Sequence, residues 1–168
     1  VNKTARFSVA AIVALALGAA AYFASVGKAV SAPNAAYTLL DGSRSNIESL
    51  RGKVVLVNFW ATDCRACVHE MPQIVATHEK FKARGFETLA VAMRYDPPAY
   101  VINFAETRKL PFFVAIDNTG EIAKSFDQVQ LTPTTVLINK RGEIVKRYVG
   151  EPDFAALHKL VETLLAQT

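Results

Sequence analysis

Cys64 and Cys67 are the two cysteines of this 168-residue chain, and they stand in "NFWATDCRAC", directly behind a run of strand-forming apolar residues. Three chemistries share their spacing: a dithiol that cycles with a disulfide, a pair of soft metal ligands, and a buried pair without reactivity. The spacing does not choose among them. Disulfide exchange demands a thiolate near neutral pH, because the thiolate is the attacking species. A helix starting at Arg65 supports one at Cys64. Unpaired N–H groups and the positive end of the helix dipole stabilise an anion there, and the Arg65 charge lies next door. Asp63 works in the opposite direction, so Asp63 raises and Arg65 lowers the pKa expected for this thiol. Cys67 falls one turn into the helix, where burial disfavours its thiolate. Cys64 is therefore read as nucleophile and Cys67 as resolving thiol.

The elements around this pair follow from pattern. "KVVLVNFW" is continuous and β-branched, the signature of a strand covered on both faces. Residues 65–83 predict a helix with Val68, Met71, Val75 and Phe81 interspersed, a kink at Pro72 and a stop at Gly85. "FETLAVAM" and "FFVAI" predict strands, with a helix over 99–108 between them and a short helix over 121–126 after them. "TTVLINKRGEIVKRYVG" predicts two strands around a Lys-Arg-Gly turn. Residues 154–165 form an amphipathic helix with Leu157, Leu160, Val161 and Leu164 on one face. Ahead of all these, "YTLLDGSRSNI" predicts a hairpin around an Asp-Gly turn. The order describes an α/β domain: a mixed sheet flanked by helices, of thioredoxin-like fold, with an added N-terminal β-hairpin.

The N-terminal end is different in kind. Residues 7–26, "FSVAAIVALALGAAAYFASV", carry no charge and at about 1.5 Å per residue are long enough for a hydrocarbon core of roughly 30 Å. Lys3 and Arg6 precede them. The apolar run exceeds the roughly 7 to 15 residues of a signal-peptide core, and the best cleavage pattern, Val30-Ser31-Ala32, would leave Pro33 just after the cut. The expectation is an uncleaved transmembrane signal anchor: 1–6 cytoplasmic, 7–26 spanning, 27–36 a small-residue linker, and 37–168 an exported domain. The formal charge of +4 largely reports this end. Lys3, Arg6 and Lys28 carry +3 of it, leaving 16 basic and 15 acidic residues from position 35 onward. A nearly neutral domain has no electrostatic footprint for nucleic acid.

"KVVLVNFWATDCRAC" followed by "HEMP", and later "LTPTTVLINKRGEIVKRYVG", resemble the membrane-anchored, exported thiol-disulfide oxidoreductases of the TlpA/ResA group, across 37–167. The resemblance implies a redox-active Cys64–Cys67 pair with no further cofactor. It also implies that Thr132-Pro133 forms a cis-proline loop packed against the dithiol, with the Thr132 backbone open to an extended substrate. In the related thioredoxins a buried Asp stands where this chain has Asn58, and Asn is no base. Glu70, one turn beyond Cys67, is the candidate for managing its proton. Trp60 is a candidate wall of the substrate site. Two positions depart from the group: Trp is usual where Asp63 stands and Pro where Ala66 stands. Asp63, Arg65 and Ala66 are accordingly where redox tuning is expected to differ. His69, His78 and His158 are read as surface helix residues without a catalytic role.

Members of the resembled group reduce specific disulfides, often the haem-binding cysteines of apocytochrome c or the copper-site cysteines of cytochrome oxidase, drawing electrons through a membrane thiol transporter. That implies a protein-disulfide reductase at the bacterial inner membrane with its catalytic domain in the periplasm or otherwise outside the cytoplasm. Alternatives are a disulfide-donating oxidase of the same fold, a Cu(I)-binding assembly factor, and a docking module with a structural bridge. Copper factors usually space their cysteines further apart and add a late histidine, and none lies between His78 and His158. Cys64→Ser is expected to abolish insulin-disulfide reduction, whereas Cys67→Ser should accumulate mixed disulfides on non-reducing gels. Full turnover by Cys64→Ser would refute this assignment.

Overall fold

A computed structural model describes residues 30–167, so the expected anchor over 7–26 lies outside the described residues. Eight strands and four α-helices follow one another: β1 (Val30–Ser31), β2 (Ala36–Thr38), β3 (Arg44–Asn46), β4 (Val54–Trp60), α1 (Arg65–Phe81), β5 (Phe86–Ala92), α2 (Pro98–Arg108), β6 (Phe113–Ile116), α3 (Glu121–Ser125), β7 (Thr134–Ile138), β8 (Glu143–Val149) and α4 (Phe154–Ala166). The main sheet has the order β1-β8-β7-β4-β5-β6. β4, β5 and β6 run parallel, and β7, β8 and β1 add antiparallel pairings. Among the described residues no helix is long and apolar enough to cross a membrane.

Strand β4 shows why this sheet must be covered on both sides. All its residues are buried, and side chains alternate between faces. Val54, Leu56 and Trp60 join the core under α1, α2 and α4; Val55, Val57 and Phe59 join the core under the β2–β3 hairpin and α3. The alternation also sets Asn58 on the α1 side. Helix α1 answers with a buried stripe at Cys67, Glu70, Met71, Ile74, Thr77, His78 and Phe81, the helical repeat of one face. Of the apolar residues interspersed along this helix, Met71 and Phe81 are buried, and Val68 and Val75 are half-buried.

The ends of the elements differ from the sequence-based expectation in two places, at the end of α1 and at the start of the domain. Helix α1 stops at Phe81, followed by a 3-10 turn over Lys82–Arg84 and by Gly85 at φ 90°. Pro72 lies inside α1 with its ring exposed, and the helix continues past it. The stretch 27–36, expected as a linker, belongs to the domain from Val30 onward: Val30 and Ser31 pair with Ile144 and Glu143 of β8, and Ala35 is buried. Without β1 the β8 edge would leave backbone groups unpaired. At the opposite edge the hairpin performs a similar service, with a bridge between Leu39 and Ala115 and a bond from Leu40 N to Val114 O of 3.2 Å.

Helix α4 closes the core. Asp153 caps it by accepting from Ala155 N at 2.9 Å and Ala156 N at 3.1 Å, and Leu157, Val161, Leu164 and Leu165 are buried beneath. Leu157 is fully enclosed. Leu157→Ala should destabilise the domain by about 2–5 kcal/mol, read as a lower urea midpoint at unchanged slope.

Candidate active site

Register places the chemistry at one end of the sheet. Because β4 and β5 are parallel, the segments after Trp60 and after Ala92 leave side by side. Phe59 pairs with Thr134 of antiparallel β7, so Pro133 falls at the same end, beyond the last pair. The Thr132-Pro133 peptide bond is cis, and Gly150 N donates to Pro133 O at 2.8 Å. Buried Asp96 accepts from Thr62 N and from Thr62 Oγ1, both at 2.6 Å, tying the segment before Cys64 to the loop after β5. Short bonds to a carboxylate are the strong kind. The Tyr95 hydroxyl lies 3.3 Å from Thr132 Oγ1, linking that loop to the proline loop.

Cys64 is the N-cap residue of α1 and is joined to Cys67 by a disulfide. Its Sγ accepts from Cys67 N at 3.2 Å, so one N–H of the helix's first turn points at the sulfur that would carry a negative charge after reduction. Cys67 is 0% exposed, while Cys64 keeps some surface. A thiol partner can therefore reach only Cys64. Asp63, Arg65 and Ala66 are all exposed around it, a rim that any incoming partner meets.

One turn deeper, Glu70 is fully buried on the apolar stripe of α1. Asn58 Nδ2 reaches it across the core, donating to Glu70 Oε1 at 2.9 Å and to Thr135 Oγ1 at 3.0 Å. Glu70 Oε2 and Asn58 Oδ1 have no hydrogen-bond partner among the described residues. Burial raises the Glu70 pKa to about 7; the Asn58 bond pulls it down and the negative Glu151 pushes it up. The carboxyl thus holds or releases a proton near neutrality, three residues beyond Cys67 on the same buried stripe, with Asn58 orienting it and adding no second charge.

Trp60 lies under the site, fully buried, its ring 5.1 Å from that of Phe104 at 50°. It offers no surface to a substrate, which corrects its expected role as a wall: β4 carries it inward on the α1 face. The histidines divide. His69 is exposed and 3.1 Å from Glu151 Oε2; His158 meets Thr77 Oγ1 at 2.8 Å. His78 is not at the surface as expected. It faces Thr88 Oγ1 at 3.2 Å, and burial holds its pKa below the usual value. Among the described residues no group of three or more His, Cys, Asp or Glu is arranged to hold a metal ion. Sequence reasoning missed Asp96 and Thr62, although Asp96 stands directly before the Pro97-Pro98 pair that marks a loop in "RYDPPAY".

The comparisons agree with this geometry. The Redoxin family profile matches residues 26–162. The thiol-disulfide oxidoreductase ResA of Bacillus thuringiensis subsp. konkukian is 38% identical over 126 residues, 75% of this chain and 70% of the relative. The protein of the same name from Bacillus subtilis is 33% identical over 134 residues, 80% of this chain and 74% of the relative. A crystal structure of a thiol:disulfide interchange protein of the thioredoxin family from Chlorobium tepidum aligns with a TM-score of 0.76 at 26% identity, covering 84% of this chain and 100% of that one.

The raised pKa of Glu70 has a signed consequence for stability. The folded domain holds this proton at pH values where the unfolded chain has lost it, so the benefit is complete below the unfolded value near 4.5 and is lost as pH rises to about 7. Urea unfolding of the oxidised protein should show stability falling by on the order of 3 kcal/mol across that window. Glu70→Gln should flatten the fall, and an unchanged profile in that variant would remove Glu70 as its cause.

Proposed function

This chain belongs to the Redoxin family and is a thiol-disulfide oxidoreductase of thioredoxin-like fold; from that premise we propose that it is a tethered reductase of specific protein disulfides on the outer side of a bacterial inner membrane. One observation supports dithiol chemistry at this site. A buried carboxyl with a pKa of about 7 is bonded to Asn58 on the core stripe it shares with Cys67. It can accept the proton of a thiol that has no access to solvent and so prepare Cys67 for its step.

In the reaction, the Cys64 thiolate attacks one sulfur of a substrate disulfide, the substrate S–S bond breaks, and the other substrate sulfur leaves as a thiolate that takes up a proton. Cys67, deprotonated by Glu70, then attacks Cys64 Sγ. The mixed disulfide breaks, the second substrate thiol departs, and the protein retains the Cys64–Cys67 disulfide. Two electrons and two protons have passed to the substrate. A dithiol donor must restore the pair, and a membrane thiol transporter is the reductant this reading assigns. Thr132 offers its backbone to an extended substrate segment, in the manner of an added strand. Asp63, Arg65 and Ala66 tune the Cys64 thiolate from the rim. Substrates in keeping with the resemblance are the haem-binding cysteines of apocytochrome c or copper-site cysteines of an oxidase. The uncharged segment over 7–26 supplies the tether in this reading.

The alternative within the same chemistry is an oxidase that donates its disulfide. Rapid acid quenching of intact cells followed by thiol alkylation separates the two: the reductase reading expects Cys64 and Cys67 mainly as free thiols at steady state. A mainly oxidised pair would overturn the proposed direction and favour the oxidase.

A further inference from the structure

The dithiol end of the sheet also carries a cleft of about 360 Å³ between the loop after β5 and the segment leading from α3 to Thr132, with Arg94, Tyr95, Gly120, Lys124 and Gln128 on its walls. Tyr95 joins it to the substrate position, since its hydroxyl lies 3.3 Å from Thr132 Oγ1. The wall is shaped around Arg94. Gly120, at φ 78°, would with a Cβ come 3.1 Å from Arg94 Cδ, so its missing side chain leaves the room that the arginine stem occupies.

The charges in this cleft are unequal. Among the described residues no carboxylate lies within ion-pairing distance of Arg94, and Lys124 meets Glu121 at 3.6 Å with both side chains largely exposed. Asp117 is the carboxylate on the wall itself. It is buried and already accepts from Ile122 N at 3.1 Å and Ala123 N at 2.8 Å. Beside Thr132-Pro133, Leu131 and Val149 stand 65% and 63% exposed, an apolar shelf on which a polypeptide can lie.

We propose that this cleft is a specificity subsite for an Asp or Glu side chain on the substrate polypeptide, near its reactive cysteine. The inference rests on the reductase reading and adds a substrate preference to it. An extended segment paired with the Thr132 backbone lies across the shelf at Leu131, and its acidic side chain enters between Arg94 and Lys124. Arg94 is exposed and its planar guanidinium suits a carboxylate through paired N–H donors, which the cleft walls screen less than open water does.

The test uses the reduced full-length chain in detergent and synthetic peptides with one disulfide, each bearing a single Glu, Gln or Lys at successive positions on either side of the cysteine. The readout is the ratio of second-order reduction rates for Glu and Lys peptides, taken within each protein so that a weakened variant cannot imitate a change of preference. At the best position the unmodified protein should favour Glu over Lys by about tenfold, with the ratio shrinking as salt is added. Arg94→Gln should bring the ratio close to unity and Arg94→Glu should reverse it. A ratio near unity at every position, or one that Arg94→Glu leaves unchanged, would overturn the subsite. Failure of the unmodified protein to reduce the Gln peptides is a separate result, which would overturn the reductase reading beneath it.

Discussion

The hydrogen bond from Asn58 to Glu70 joins the central strand to the dithiol helix through the middle of an apolar core. A charged carboxylate there would be costly, and a protonated one only moderately so. Glu70 shares its stripe with Cys67, Met71, Ile74, Thr77, His78 and Phe81, so replacing it with an apolar residue would cost the packing little. The core holds a poorly matched polar pair, with one oxygen of each partner unbonded among the described residues, and the function proposed above gives that pair a proton to manage out of reach of water.

That constraint explains much of the surrounding architecture. Glu70 can be buried only if α1 lies flat on β4, which requires the stripe from Cys67 to Phe81 and the facing residues Leu56 and Trp60. With α1 so placed, its N-terminus falls where β4 ends, and Cys64 becomes the cap. The approach segment cannot be left loose, because a small displacement at a reacting atom is expensive in rate. Asp96 fixes it through two short bonds to Thr62, and the register of β7 brings Pro133 alongside.

Strands, helices and the cysteine pair were legible in the sequence because each rests on local pattern. "KVVLVNFW" announces a doubly covered strand, and "LTPTTVLI" placed the proline loop through its resemblance. What was not legible depends on register between distant segments. Whether a helical glutamate is inside or outside is decided by which stripe faces β4, and the apolar residues interspersed along α1 did not single one out. His78 was read as exposed because histidines on helices commonly are. Strand β1 was invisible because its residues read as a linker, and only β8, over a hundred residues later, gives them a partner. Trp60 showed a related error: its closeness to Cys64 in sequence says nothing about which side of the strand it takes.

The burial of Cys67 behind Cys64 leaves the protein with one reactive sulfur at its surface. Whatever supplies electrons and whatever receives them must therefore dock on the same face at different times. Donor and acceptor are mutual competitors, and turnover alternates between two half-reactions that never share a ternary complex. The surface around Cys64 has to serve both, and a mutation that tightens its grip on one partner slows that partner's departure and so delays the arrival of the other.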